Sequence, residues 1–141
     1  MELQKIKALV EQDNEPVKVE IYQPNGDPYL GGPDGKTISF FEVLGSESKV
    51  YKEARRAQQR RIFKRARAGG GATMTPEESE RDAIELAASA VTGWGAWEAN
   101  GEPLPLTPEN VRAMLSVDHI FDQVNAGIQR HASFFERASR N

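Results

Sequence analysis

The side chains with the widest chemical range in this sequence are two histidines, His119 and His131, and neither stands in a spacing that assembles a catalytic site. They lie far apart on what reads as one helix, so they cannot share a metal within a single chain. Asp118, His119 and Asp122 fall within about one helical turn, where two carboxylates and an imidazole could take a divalent cation. The plainer reading weighs more: Asp118 favours a helix N-terminus and the rest is solvated surface. No serine sits in a strand-turn-helix elbow, and no carboxylate pair is marked by spacing as an acid and base. The absence of cysteine removes thiolate nucleophiles, thiolate metal sites and disulfides together. No enzyme, no cofactor and no metal are therefore expected.

Gly69-Gly70-Gly71 raises the question of phosphate binding. A P-loop needs Lys-Ser or Lys-Thr after its glycines, at a helix start, so that backbone amides and an ammonium converge on phosphate. Ala72-Thr73-Met74 follows here instead, and residues 69–74 read as a glycine-rich connector with maximal backbone freedom. A dinucleotide fold is excluded by the lack of repeated strand-helix-strand units.

The strongest chemical signal is charge. Residues 49–67 hold nine basic side chains against one acid, Glu53, a local +8 that leaves the remainder at −11 for a net −3. Clustered lysine and arginine on one helix is the electrostatic footprint of nucleic-acid binding. Charge runs are more often solvated faces or docking surfaces, and the acidic remainder, with no glycine-aromatic RNA signature or helix-turn-helix, argues against nucleic acid.

These residues need a scaffold, and 141 residues with 38% apolar and 28% charged side chains suit one modest globular core. Leu3, Ile6 and Val10 give a short helix that Asp13-Asn14-Glu15-Pro16 ends. Val17, Val19 and Ile21 alternate with polar residues as a half-buried strand does. Two turn-rich clusters at 24–28 and 31–35 enclose only Tyr29 and Leu30, which reads as a loop. The β-branched and aromatic run 37–44 predicts a second strand, antiparallel to the first. Gly45-Ser46 would end it and cap the basic helix, whose buried face is Val50, Tyr51, Ala54, Ala57 and Ile62.

Thr75-Pro76-Glu77-Glu78 and Thr107-Pro108-Glu109-Asn110 each read as a helix start, with Leu106 and Val111 placed as a hydrophobic staple on the second. The first of these helices is expected to run towards Trp94, and a turn-rich connection carrying Trp94 and Trp97 to follow it. Ile120, Phe121, Val124, Ile128, Ala132 and Phe135 predict one terminal helix. The expected fold is α+β and mainly α-helical: an N-terminal antiparallel β-hairpin and about four helices. Its parts are residues 1–68, the connector 69–74 and a helical part 75–141, together forming one compact domain. No stretch is apolar enough for a signal peptide or a membrane span, which places the chain in the cytosol.

Two stretches carry a resemblance. Ile38-Ser39-Phe40-Phe41-Glu42-Val43-Leu44-Gly45-Ser46-Glu47-Ser48-Lys49-Val50-Tyr51 with the basic helix, and the segment 94–135 with its Trp, Asn-Gly-Glu-Pro-Leu-Pro, Thr-Pro-Glu-Asn-Val and Phe-Phe pattern, together resemble tail assembly chaperones of long-tailed bacteriophages. They cover well over half the chain, and Glu47 stands where that pattern has an aspartate. The resemblance implies a protein that binds the helical tape measure protein, shields its apolar surface and recruits tail tube subunits in the host cytoplasm. It also implies absence from the mature virion, a possible homo-oligomer, and often a longer frameshifted product. The contacts it suggests are the basic face of Lys52, Arg56 and Arg60 and an aromatic end of Trp97, Phe134 and Phe135. A structural subunit of the tail is the third reading beside chaperone and nucleic-acid binder.

Overall fold

The computed structural model describes residues 2–69 and 74–140, so most of the expected 69–74 connector lies outside the described residues. The chain runs α1 (Leu3–Gln12), β1 (Val17–Glu20), β2 (Leu30–Gly31), β3 (Thr37–Ile38), β4 (Phe40–Val43), α2 (Lys49–Arg67), α3 (Pro76–Ser89), β5 (Val91–Gly95), β6 (Glu98–Ala99), β7 (Glu102–Pro103), α4 (Pro108–Leu115), α5 (Asp118–Gln129) and α6 (His131–Arg140). It is an α+β fold, mainly helical, with small antiparallel sheets.

Alternation along β1 sets the core. Val17 and Val19 turn inwards while Lys18 and Glu20 face water, and the antiparallel register Val17↔Val43 and Val19↔Phe41 puts four apolar side chains on one face. Helices α5 and α6 cover that face; Val124 and Ile128 of α5 are fully buried. On the other face Lys18 lays its ammonium 4.3 Å from the ring centroid of half-buried Phe40.

The expected hairpin is only partly present, because its loop is folded and its second strand changes partners. Thr37 and Ile38 pair with Gly31 and Leu30, whereas Phe40 to Val43 pair with β1. Ser39 is the crossing point. Its N–H donates to Tyr29 O, its carbonyl accepts from Ile21 N–H, and Tyr29 N–H donates to Ile21 O, a closed ring of three backbone bonds. All three peptides are satisfied at a corner where a straight hairpin would leave one unpaired.

The third strand was not expected. Helix α3 stops at Ser89 instead of continuing to Trp94, and β5 adds to β4 in the order β1-β4-β5. This makes β4 central and ties residues far apart in sequence into one sheet, with Trp94 edge-on to Phe41 at 5.5 Å. The expected terminal helix is likewise two, because Arg130 leaves helical geometry before His131. Among the described residues five helices follow the hairpin, where about four are expected.

Candidate functional site

Helix α2 is held by its first turn and by α3, and little else of it is buried. Tyr51 is its single buried residue, and of the apolar face expected from the sequence Val50 is 49% exposed. Gln58 donates to the Asp82 carbonyl at 2.7 Å, and Arg65 bridges Glu78 at 2.9 Å and Asp82 at 3.9 Å, so α3 lies along one side of α2. At 100° per residue, the side turned away from these contacts carries Lys49, Lys52, Arg56, Arg60, Phe63 and Arg67, at spacings of three and four. This stripe extends about 27 Å along the helix.

Among the described residues Arg55, Arg56, Arg61, Lys64 and Arg67 have no ion-pair partner. Arg60 reaches Glu53 at 3.6 Å with both side chains largely in water, a pairing worth little. Phe63 is 70% exposed, the most exposed large apolar side chain among the described residues, and the Arg67 guanidinium sits 6.0 Å from its ring. Sequence reasoning missed Phe63. The signal was available: an aromatic seven positions after Arg56 interrupts the charged face, not the buried one.

The base of α2 is fixed by polar contacts. Ser48, not Ser46, is the N-cap: its buried hydroxyl accepts from Tyr51 N–H, while Ser46 N–H donates to Ile128 O. Asp13 accepts from Glu47 N–H at 2.8 Å through its carboxylate and from Gly45 N–H through its carbonyl; Asn14 accepts from Lys49 N–H. Buried His131 donates from Nε2 to the Glu15 carbonyl at 2.6 Å, since a carbonyl can only accept. Its Nδ1 lies 3.3 Å from Asp13 Oδ1, within ion-pair reach but without hydrogen-bond geometry. Lys52 bonds Glu47 at 2.7 Å, and this bond, followed by the charges of Lys52 and Arg55, holds the Glu47 carboxyl below its ordinary value.

The six residues suggested by the sequence therefore fall into separate places. Lys52, Arg56 and Arg60 share the outer stripe, with Lys52 already engaged by Glu47. Trp97 is built into the core at the Phe40 end of the sheet, donating to Phe40 O at 3.2 Å and packed on Tyr29 and Phe41. Phe134 and Phe135 pack on the core from α6, and Phe135 stacks on His131 beside the Glu15 turn that precedes β1. The register of β1 and β4 puts Trp97 and Phe135 at opposite ends of the strand pair, so they do not form one aromatic end. Trp94 is also an anchor, donating to Leu104 O.

His119 departs from the solvated reading. It is half-buried, hydrogen-bonded to the Tyr29 hydroxyl at 2.6 Å and stacked on that ring. Among the described residues no three His, Asp or Glu side chains are grouped to hold a metal ion, and no helix is long and apolar enough to cross a membrane. The chain matches no family model, and comparison with curated proteins and with solved structures gives no match.

Proposed function

We propose that this chain is a tail assembly chaperone of a long-tailed bacteriophage. It binds the tape measure protein and recruits tail tube subunits in the host cytoplasm, and it acts by contact alone, as a reversible holder with no chemistry of its own. The observation that carries the reading is the outer stripe of α2: Arg56 and Arg67, without ion-pair partners among the described residues, and an exposed phenylalanine, on a helix whose one buried residue is a tyrosine. A surface of this kind suits many weak contacts to another chain better than one deep pocket.

The same unpaired cations favour one second reading, binding of nucleic acid. Co-expression with candidate tail proteins, purification at two salt concentrations and mass spectrometry of the co-purified material separate the two. A tape measure or tube subunit in stoichiometric amount, free of nucleic acid, is the expected result. Nucleic acid that is lost at the higher salt, with no protein partner, would replace the chaperone reading. Recovery of the chain from purified particles would make it a structural subunit instead.

A further inference from the structure

We infer that the outer stripe of α2 docks an acidic amphipathic helix lying lengthwise along it, with an apolar side chain of that helix seated on Phe63 and Arg67. The inference rests on the chaperone reading for the identity of the client, and adds the chemistry by which the client is recognised. Its first support is charge complementarity. Lys49, Lys52, Arg56, Arg60 and Arg67 line one face, and among the described residues Arg56 and Arg67 form no ion pair. A facing helix with carboxylates at the same three- and four-residue spacing meets these cations in register, since both rows rise about 1.5 Å per residue.

Phe63 selects the partner's second property. It stands two turns beyond Arg56 on the same row, with Arg67 covering one side of the ring and the rest in water. A lone exposed aromatic amid flexible cations is the composition of an interface anchor, and it is satisfied by an aliphatic side chain. An acidic helix without an apolar residue would leave the ring wet.

A polyanion longer than the stripe fits less well. Beside α2 lies α3, with Glu77, Glu78, Glu80, Asp82 and Glu85 against the single cation Arg81, and the chain outside α2 carries −11. A long nucleic-acid strand must lie over more of this acidic chain than the stripe alone, whereas a helical segment of matching length need not.

The full chain is titrated, by fluorescence anisotropy at two salt concentrations, into a labelled synthetic helical peptide of about 20 residues, long enough to lie along the stripe. The peptide carries glutamates on one face with a leucine among them; a lysine-faced copy is the control, and single- and double-stranded DNA of similar length are run in parallel. Binding to the acidic peptide that weakens with salt is expected, with none to the control. R56E/R60E/R67E should weaken it about 10- to 100-fold, because each reversal removes an attraction and adds a repulsion. F63A should weaken it about fivefold or more. All four side chains point outwards, and circular dichroism with thermal melting verifies that both variants fold. Equal binding by the charge-reversed variant, or tighter binding of either DNA than of the acidic peptide, overturns the inference. In the co-expression experiment, retention of the tape measure protein by R56E/R60E/R67E overturns the stripe and leaves the chaperone reading standing. Peptide binding that depends on the stripe, with no tail protein retained by the wild-type chain, supports the stripe and removes the chaperone reading.

Discussion

Gly127 brings the backbone of helix α5 against the sheet, and replacing it with alanine sets three known effects against one another. A Cβ at this position would sit on Val19 Cγ2 and lie 3.5 Å from Val43 Cγ2. In its favour, alanine is about 1 kcal/mol better than glycine inside a helix, and a buried methyl adds about 0.8 kcal/mol. Against it, overpacking costs about 1–3 kcal/mol, and the geometry decides for the upper end. Val19 is 2% exposed, β-branched, and held in a strand whose register with Phe41 cannot slip without turning its apolar face outwards. The expected net effect of G127A is a loss of about 1 kcal/mol, or about 3–4 °C in melting temperature. Chemical denaturation of G127A, V19A and the double variant measures it. Removing the Val19 methyls makes room, so the double variant should be more stable than the sum of the singles by about 1 kcal/mol or more. A melting temperature raised by G127A, or a cycle that is additive, would refute the reasoning that this contact limits how α5 seats on the sheet.

Two further outcomes concern the base of α2. Ser48→Ala should cost about 1–2 kcal/mol, since it removes a buried cap and leaves Tyr51 N–H without its acceptor. Amide exchange over residues 49–52 should accelerate, and unchanged protection would show that the cap is not what starts the helix. The Glu47 carboxyl is depressed chiefly by its bond from Lys52, so its contribution to stability is present above the unfolded value near 4.5 and is lost as pH falls through the lower folded value. Lys52→Met should raise the Glu47 midpoint towards 4.5 in an NMR carboxyl titration; an unmoved midpoint would assign the depression to other charges.

The parts of the fold legible in the sequence are those set by chemistry within a few residues. Thr75 and Thr107, each followed by proline, cap α3 and α4 through their hydroxyls, and the Val17, Val19, Ile21 alternation faces the core as its period requires. What was not legible depends on distant partners. β5 reads Val-Thr-Gly-Trp-Gly, two glycines in five residues, which is turn composition until β4 supplies a ladder for it. The break at Arg130 has no proline or glycine beside it; buried His131 is drawn to the Glu15 carbonyl and Asp13, more than a hundred residues away. The basic stripe was visible as charge, and Phe63 within it as a break in pattern. Which cations would be left without partners was not, because that depends on where α3 packs.

The like charges along α2 also bear on how firmly the helix is held. Lys52 with Arg56, Arg56 with Arg60, Arg60 with Lys64 and Arg61 with Arg65 are like charges one turn apart, each unfavourable by about 0.2–0.5 kcal/mol, so α2 carries about 1–2 kcal/mol of internal repulsion. No acid lies in its first turn to favour the helix dipole there. Against this stand the Ser48 cap, Lys64, Arg65 and Arg67 at the negative end of the dipole, the Lys52–Glu47 pair, the Gln58 and Arg65 contacts to α3 and a single buried tyrosine. The outer half of α2 should therefore open more readily than the sheet beneath α5. An acidic helix docked along the stripe would set attractions against the two pairs that lie on it, Lys52 with Arg56 and Arg56 with Arg60, so binding and helix stability would rise together. If the proposed helix docks there, the coupling is reciprocal: a change that stiffens α2 without touching its outer face would also tighten binding of the docked helix.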